Sequence, residues 1–375
     1  MNNQKIRAIG AGVLVALWAV LTGFAWFSPA KDRSEAERRP LAQMPAISVD
    51  AVFGTDENGN HAFMTGFESY SLDQFPLRDS FRGLKALFHN YVLQQSDNNG
   101  YYYKDGYLAK QDLTLDTEAV QKKLDILNKV HHMFISQGEN TNCYVSIVPD
   151  KSYYLAQLYG YPSVDFHAIA GMAQSSLPWA SYVDITDTLE LGDYYRTDTH
   201  WRQENLIPTA QKLASAMGVA GPEEQRFTAV RVDKPFYGVY HAQAALPVAP
   251  DDMYILESNL LEGLTVQVDG ASKPGVYDMT QLDSDDQYNI YLSGAKTGMV
   301  TIENPNAATD KKLVVFRDSF GSSIAPLFIQ DYQSVTLIDL RVFSSMALRM
   351  VDFSDSDVLV LLSSLALNNA DEAFR

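Results

Sequence analysis

The sequence predicts an α/β protein with a parallel sheet, an antiparallel β segment and an N-terminal transmembrane helix. Three observations lead to this fold class. Apolar strand-like runs alternate with helical segments over residues 142–185 and 313–362, which is typical of a parallel sheet flanked by helices. Residues 226–303 instead hold short β-like runs divided by Gly and Asp turns, which favours antiparallel strands. Residues 8–27 carry no charge and have the length of a membrane span.

Composition limits the possible functions. The 375 residues, 46% of them hydrophobic, are enough to bury a sizeable core. A formal net charge of −17 argues against nucleic acid or a polyphosphate as the main partner, because no basic patch would dominate that field. Cys143 is the only cysteine, which excludes an intramolecular disulfide and a cysteine cluster for zinc or iron. It lies in an apolar run, so we interpret it as a core residue rather than a catalytic thiol.

The N-terminal segment is interpreted as a membrane anchor over residues 1–30. At 1.5 Å per residue, residues 8–27 are about long enough to cross a hydrocarbon core of roughly 30 Å. A removed signal peptide is the alternative, because residues 28–30 (SPA) are similar to a small-residue cleavage site. More basic residues follow the span than precede it, so the charge count does not favour export of the rest. Residues 31–55 mix charges and prolines, which predicts a juxtamembrane linker rather than a packed element.

Apolar spacing predicts the remaining elements in order. Two helices over residues 63–96 are separated by a turn at 73–76, and their aromatic residues are expected in the core. Residues 101–108 contain an Asp-Gly turn and predict a hairpin. Further helices are predicted at 113–137, 165–177, 203–217, 322–329 and 344–351. Further strands are predicted at 142–148, 182–185, around Val230, and at 254–256, 264–268, 288–292, 300–302, 313–316, 335–340 and 358–362.

Two groups of residues are of types that often bind ligands, but we interpret both groups as structural. His131 and His132 are adjacent, so they point to different faces of a helix and cannot chelate one metal as an i, i+4 pair would. The tyrosines of 101–107 and 153–161 are interpreted as packing, with sugar-stacking platforms as the alternative. We predict neither a metal nor a cofactor.

Ser319 is the first candidate for catalysis. Residues 313–316 form an apolar run that suits a strand buried on both faces, and small residues after Ser319 suit the start of a helix. Such a corner places a serine hydroxyl at the carboxyl edge of a sheet, where the backbone amides of Ser319 and Phe320 can face an oxyanion. The alternative is that Ser319 only caps the helix.

Residues 194–201 (YYRTDTHW) contain the base and the acid that a nucleophilic serine needs. In an extended segment, residues i and i+2 lie on one side of the chain. Asp198 can therefore hold one ring nitrogen of His200 while the other faces a serine from elsewhere in the fold. The alternative is that Asp198 and Thr199 cap the next helix and that His200 packs with Trp201.

These two motifs together resemble a known family. Residues 196–201 (RTDTHW), followed about 120 residues later by 317–321 (RDSFG), resemble the SGNH-hydrolase-like domain of the alginate O-acetyltransferase family and of the related DHHW proteins of Gram-positive bacteria. The resemblance extends from about residue 37 to the end. Its other stretches are 37–41 (ERRPL), 73–79 (DQFPLRD), 105–108 (DGYL), 148–151 (VPDK) and 338–341 (IDLR).

The resemblance implies a fold and three site residues. It implies an SGNH-hydrolase-like domain over residues 56–375 with a β-rich insertion at about 226–303. It also implies Asp198 as orienting acid, His200 as base and Ser319 as nucleophile, an order that permutes that of ordinary SGNH esterases. Thr199 replaces the first histidine of the DHHW name, and Arg202 stands where an asparagine is usual. The sequence has no Gly-x-Asn-Asp block, so it identifies no side-chain donor to the oxyanion.

The function implied by the resemblance is O-acyl transfer at the cell envelope. The expected protein is a single-pass protein of the cell membrane whose extracytoplasmic domain acetylates hydroxyls of a cell-surface or exported polysaccharide through an acyl-serine. A membrane-bound O-acyltransferase is the implied acyl donor. One alternative is a carbohydrate acetylesterase, which uses the same triad and gives the acyl group to water. The other is a non-catalytic surface domain that binds glycan.

Overall fold

The computed structural model describes residues 3–34, 37, 39–54, 62–294 and 297–374. The chain forms two compact units, Met1–Asn98 with Ala245–Pro247, and Asn99–Ala244 with Val248–Arg375. The predicted boundary between linker and domain at residues 55 and 56 lies outside the described residues, as does Arg38 of the ERRPL stretch.

The N-terminal unit begins with the long helix α1, Asn3–Phe27. Within it, Arg7–Ala25 has a mean hydropathy of 2.1 and is 0% buried. By length and composition this helix fits a membrane span or a signal sequence. The elements that follow are β1 (Arg33–Ser34), β2 (Arg39–Pro40), α2 (Val49–Phe53), α3 (Ala62–Asp73), α4 (Arg78–Leu87) and a π-helical turn (Phe88–Val92).

Residues 31–34 and 39–42 are packed, so the expectation of an unpacked tether is wrong for them. Strands β1 and β2 pair antiparallel. Asp73, at the end of α3, accepts two hydrogen bonds from the Arg39 guanidinium, at 2.6 and 2.8 Å, and one from the Ala42 amide at 2.8 Å. Gln74 exchanges two bonds of 2.9 Å with the backbone of Lys31. The turn between α3 and α4 therefore folds back onto the chain that leaves α1.

Helices α3 and α4 confirm the two helices predicted around residues 73–76. The expectation that their aromatic residues lie in the core is wrong, because none of these residues is buried. Apolar side chains of α4 and its flanks are exposed, namely Leu77, Phe81, Leu84, Leu87, Phe88 and Tyr91. Ala86, in contrast, is fully buried. Helical periodicity identified the apolar stripe but not the side that it faces.

The second unit is a mixed α/β structure around an eight-stranded sheet. Its strand order is β10-β9-β11-β13-β12-β14-β5-β6. The five strands from β13 to β6 pair in parallel, and β11, β9 and β10 extend the sheet antiparallel from β13. The strands of the sheet are β5 (Asn142–Val148), β6 (Ser181–Tyr182), β9 (Thr265–Val268), β10 (Ala271–Lys273), β11 (Met299–Glu303), β12 (Lys312–Arg317), β13 (Ser334–Ile338) and β14 (Ser356–Ser363).

Two smaller antiparallel strand pairs, seven α-helices and several 3₁₀ helices complete this unit among the described residues. The pairs are β3 (Tyr101–Lys104) with β4 (Tyr107–Lys110), which confirms the predicted hairpin, and β7 (Thr228–Arg231) with β8 (Tyr254–Glu257). The helices are α5 (Thr117–Met133), α6 (Lys151–Tyr159), α7 (Phe166–Ser176), α8 (Ile207–Met217), α9 (Val239–Ala244), α10 (Phe320–Ile324) and α11 (Ser364–Asn368). Tyr102 of β3 is fully buried and stacks on Tyr161 with ring centroids 4.8 Å apart, which is packing rather than an open sugar platform.

The core lies on both faces of the sheet. On β12, Leu313 and Val315 belong to a cluster with α8, whereas Val314 and Phe316 belong to a cluster with α5 and α7. Successive side chains of a strand point to opposite faces, so an almost wholly apolar run is what a doubly covered strand requires. The strand predicted at residues 313–316 is thereby explained, and it is the one that leads into Ser319.

One predicted strand is wrong. Gln287–Ile290 forms a 3₁₀ helix instead of the strand predicted at 288–292. The carboxylate of Asp286 accepts a hydrogen bond from the Tyr288 amide at 3.3 Å, which favours a helical start. Leu292 and Ser293 then adopt left-handed φ angles of 46° and 64°, which a strand does not allow.

Candidate active site

Ser319 lies at the carboxyl edge of the central sheet, directly after β12. It occupies the cap position of α10, but its side chain makes no capping hydrogen bond. Unlike its buried neighbours Asp318 and Phe320, Ser319 is partly exposed. The corner is tight, since a Cβ on Gly321 would lie 2.5 Å from Cβ of Arg317. A glycine is therefore needed where α10 turns back over the end of β12.

Asp198 and His200 lie in a closed loop rather than in the extended segment that we expected. Tyr194 and Trp201 form an antiparallel bridge, and the Tyr195 amide donates to the carbonyl of His200 at 3.0 Å. Within the loop, Asp198 Oδ1 accepts the His200 amide at 3.1 Å and lies 2.5 Å from His200 Nδ1. The capping alternative fails, because the next α-helix, α8, begins only at Ile207.

The three residues form one hydrogen-bonded relay. His200 Nε2 lies 2.6 Å from Ser319 Oγ. A carboxylate only accepts, so Nδ1 of His200 carries the proton that it shares with Asp198, and Nε2 is left to accept the Ser319 hydroxyl proton. Asp198 is 1% exposed and His200 is 7% exposed, so water competes little for either bond. The arrangement has the geometry of a nucleophile, a base and an orienting acid.

The second oxygen of Asp198 is held by a distant segment of the chain. Oδ2 accepts the Val239 amide at 2.8 Å. Gly238 makes this approach possible, because a Cβ there would lie 2.3 Å from Cβ of Asp198 and 2.4 Å from the Thr197 carbonyl oxygen. The Gly238 amide also donates to Thr197 Oγ1 at 3.0 Å. Asp198 thus has both oxygens occupied and its rotamer fixed.

Two buried charges hold the loop from outside. Asp251 accepts the amides of Arg196 and Thr197, both at 2.8 Å, and the Thr197 hydroxyl at 2.6 Å. Lys151 is fully buried, and its ammonium donates to the carbonyls of Tyr195, Arg196 and Asp198 at 2.8, 3.2 and 2.6 Å.

Burial lowers the pKa of Lys151 to about 8, while Asp150, Asp251 and Asp198 favour its charged form. Lys151 belongs to the VPDK stretch of the family resemblance, and nothing in that stretch predicts the contact of its side chain with the loop.

Aromatic residues join the two halves of the site. The Tyr288 ring stacks on the His200 ring, with centroids 3.7 Å apart and planes 8° apart. The Tyr288 hydroxyl donates to Ser323 Oγ at 2.8 Å, and burial raises its pKa well above the ordinary value. The Trp201 indole donates to the Phe320 carbonyl at 3.1 Å and to Ser323 Oγ at 2.8 Å. The imidazole is therefore clamped between its carboxylate and an aromatic face.

The expected oxyanion donors require a correction. The Phe320 amide donates to Asp318 Oδ1 at 3.0 Å, so it is already committed to a neighbouring side chain. Asp318 is itself fixed, because its Oδ2 accepts the Ser363 amide at 2.7 Å. The Ser319 amide remains the backbone candidate of the two that we predicted.

Asn289 was missed in the sequence and lies beside this corner. Its Nδ2 is buried and has no hydrogen-bond partner among the described residues. A Cβ on Gly294 would lie 2.2 Å from Asn289 Oδ1, so the amide packs directly on Gly294. The Gly294 carbonyl in turn accepts from Arg317 at 2.6 Å and from Ser322 at 3.2 Å, on either side of Ser319 in sequence. A buried donor without a hydrogen-bond partner costs free energy, so Asn289 is a candidate functional residue.

Other groups considered in the sequence lie apart from this relay. Cys143 is in the first half of β5, and burial raises the pKa of its thiol to about 11, which suits a core residue. His131 stacks on Trp179 with ring centroids 4.3 Å apart. In the described part of the chain, no group of three or more His, Cys, Asp or Glu residues is placed to hold a metal.

Comparison with solved structures identifies the same fold elsewhere. A DHHW family protein from Eubacterium siraeum matches with a TM-score of 0.59 and 18% identity, over 74% of this chain and 94% of that chain. Bacillus cereus PatB1, solved with a sulfonyl adduct, matches with a TM-score of 0.56 and 16% identity, over 73% and 98%. The O-acetyltransferase domain of Pseudomonas putida AlgJ is more distant, with a TM-score of 0.41, 14% identity and coverages of 70% and 90%.

The first two matches agree with the family resemblance of the motifs, and at their identities they establish the fold alone. No protein-family model matches the chain. No curated protein matches it in sequence.

Proposed function

We propose that the chain is a serine O-acyltransferase of the cell envelope, with Ser319 as nucleophile, His200 as general base and Asp198 as orienting acid. The observation that carries the proposal is the continuous relay from Asp198 through His200 to the partly exposed Ser319 hydroxyl. A serine hydroxyl is a weak nucleophile until a base accepts its proton, and this geometry provides that base.

The proposed reaction has two balanced steps. In the first, Ser319 Oγ bonds to the acyl carbon, His200 Nε2 takes the hydroxyl proton, and that proton then leaves with the departing group of the donor. In the second, a hydroxyl of the acceptor gives its proton to His200 and bonds to the same acyl carbon. The bond from that carbon to Ser319 Oγ breaks, and the proton returns to the serine.

We assign stabilisation of the oxyanion to the Ser319 amide and to the side chain of Asn289. Support for Asn289 comes from its buried, unpartnered Nδ2 and from its position next to Tyr288, whose ring lies against His200. A donor without a partner in the resting enzyme is available for a charge that develops during the reaction.

The donor, acceptor and location follow from the family resemblance of the motifs. We propose that an acetyl group reaches Ser319 from a membrane-bound O-acyltransferase and passes to a cell-surface or exported polysaccharide. Helix α1 would anchor the chain by a single pass, with the rest outside the cytoplasm; its length and hydropathy support the anchor. The fold shared with a DHHW family protein supports the assignment to this group.

A carbohydrate acetylesterase would use the same relay and differ only in giving the acyl group to water. A non-catalytic glycan-binding domain is the remaining alternative, and the short hydrogen bond between His200 and Ser319 favours the catalytic reading over it.

The test is intact-mass analysis of the full chain in detergent after incubation with p-nitrophenyl acetate. We expect a burst of nitrophenol and a single acetyl adduct in the wild type, and neither in Ser319→Ala. Sulfonyl reagents attach to activated hydroxyls, and PatB1 was solved with a sulfonyl adduct. Phenylmethylsulfonyl fluoride should therefore label the wild type and not Ser319→Ala.

Ser175→Ala serves as a control, because Ser175 is an exposed serine of α7 outside the site. It should be acylated like the wild type. Acylated enzyme is then mixed with oligosaccharides. Transfer to sugar in preference to water supports the transferase, release of acetate alone supports the esterase, and absence of any adduct on a folded wild-type protein overturns the proposal.

A further inference from the structure

Helix α4 presents its apolar residues outward. Phe81 and Leu84 lie in α4, Leu77 is the cap residue before it, and Phe88 and Tyr91 lie in the π-helical turn after it. They follow one another at steps of four and three, a spacing that favours one side of the helix, and they are called the stripe below. All five are exposed, with Phe81 at 44% and Tyr91 at 68%. The apolar stripe of an ordinary surface helix faces the core, whereas that of α4 faces away from it. Within the N-terminal unit, no described residue covers this stripe.

The polar side of α4 is fixed inward by ion pairs. Glu37 pairs with Arg78 and with Arg82, the latter at 3.1 Å. Arg78 also approaches Asp73 at 3.5 Å. The side chains of Arg78 and Arg82 are only 18% and 16% exposed. Because several partly buried charges hold this side, the helix cannot roll to bury its apolar stripe without breaking them.

The start of α4 lies close to the end of α1. Gln74, four residues before α4, exchanges two hydrogen bonds with the backbone of Lys31. Lys31 is four residues beyond the last residue of α1, Phe27, so at 3.6 Å per residue the turn lies within about 14 Å of the end of that helix. Phe24, residues 28–34 and residues 73–80 line one cleft of about 1030 Å³.

We propose that α4 and the π-helical turn after it lie in the headgroup region of the lipid leaflet from which the C-terminal end of α1 emerges, with the apolar stripe among the acyl chains. This proposal rests on the membrane anchor proposed above. An interfacial helix inserts its apolar face about 5–10 Å into that boundary. Phe and Leu on the stripe, with Tyr91 at its end, are the composition found there.

The test uses the full chain in vesicles of phosphatidylcholine with about one fifth phosphatidylglycerol. In a Cys143→Ala background, single cysteines replace Leu84 or Phe88 on the stripe, and each is labelled with an environment-sensitive fluorophore. Asp79→Cys is the matched control, since Asp79 is exposed on the opposite side of the same helix. Val15→Cys, near the middle of α1, reports on the anchor and is measured with lipids whose spin label lies deep in the acyl chain. Unchanged thermal unfolding midpoints establish that each variant is folded.

Lipids with a spin label near the headgroup should quench more than about half of the fluorescence at Leu84→Cys and Phe88→Cys, and little at Asp79→Cys, given the insertion depth of about 5–10 Å. Quenching at Val15→Cys with none on the stripe leaves the anchor intact and overturns the proposal. A blue-shifted stripe label without quenching also overturns it, because a protein then covers the helix. Absence of quenching at Val15→Cys refutes the anchor itself and the proposal with it.

Discussion

The two halves of the candidate site are held in different ways. Ser319 follows β12, which pairs in parallel with β13 and β14 and is covered on both faces. Asp198 and His200 lie in a loop without helix or strand, and their position depends on side chains and amides from four other parts of the chain. The serine half is therefore specified mainly by its own segment. The acid and base half is specified by residues that are distant in sequence, so its function should be sensitive to changes far from it.

The largest loss of acylation rate is expected from Gly238→Ala. The added methyl group would meet Asp198 Cβ at 2.3 Å and backbone atoms of the loop at 2.4 Å, so the loop must move. A displacement of about 1 Å in a reacting group can cost about 100-fold in rate, and we expect at least that loss in the rate of Ser319 acylation. The measurement is the nitrophenol burst. Gly171→Ala in α7, where no atom lies within 4 Å, is the control and should retain full activity. An active Gly238→Ala enzyme would show that the loop is not rigid.

The next prediction compares substitutions of two buried lysines. Lys151 and Lys123 each donate to three carbonyl groups, but Lys123 binds those of Ala366, Leu367 and Asn369, far from the relay. Each substitution to Met leaves buried carbonyl groups without a hydrogen-bond donor. We expect each to lower the free energy of unfolding by about 3 kcal/mol. Only Lys151→Met should also slow acylation of the folded protein, by about tenfold or more. Thermal unfolding and burst kinetics on the same samples separate the two effects. Equal losses of activity in both variants would contradict the distinction.

A pH effect on stability should accompany Lys151. Burial lowers its pKa in the folded chain to about 8, below the ordinary 10.5. Between these values the unfolded chain binds the proton more tightly than the folded chain does, so this group makes folding more favourable as the pH rises. Relative to Lys151→Met, the wild type should gain about 2 kcal/mol between about pH 7 and about pH 10. Unfolding midpoints of both proteins at the two pH values measure this gain. A constant difference would mean that Lys151 keeps an ordinary pKa.

The smallest effect is expected from Tyr288→Phe. The ring that stacks on His200 is kept, and only the hydrogen bond to Ser323 is lost. We expect a loss of about 1 kcal/mol in stability and an acylation rate within a few-fold of the wild type. Tyr288→Leu removes the stacking as well and should slow acylation further. If Phe and Leu variants behave alike, the aromatic face does not orient the base.

Local sequence was enough to predict the serine half. The apolar run of residues 313–316 and the small residues after Ser319 indicate a buried strand and a tight corner, and β12, Ser319 and α10 follow that plan. Strand β5 and helix α7 were predicted for the same reason. In these segments the pattern that determines the structure lies within the segment itself.

The other half depends on contacts that no local pattern contains. No sequence motif around Asp251 or Gly238 predicts a role in the site. That role is visible only in the folded chain, where Asp251 binds Thr197 and Gly238 packs against Asp198. Residues 288–292 form a short apolar run that predicts a strand, yet Asp286 and the left-handed residues at its end make the segment helical. For α4, periodicity defines a stripe without defining its environment.

The place of β14 in the sheet has a consequence for synthesis of the chain. This strand lies between β12 and β5, all eight of its residues are buried, and its partner β5 is made more than two hundred residues earlier. While the polypeptide emerges from the ribosome, β5 and β12 have no strand between them, and both keep an open edge. Open apolar edges favour pairing with other chains. A chaperone that binds nascent chains would therefore be needed most before residues 356–363 are synthesised. Chains truncated before these residues should aggregate.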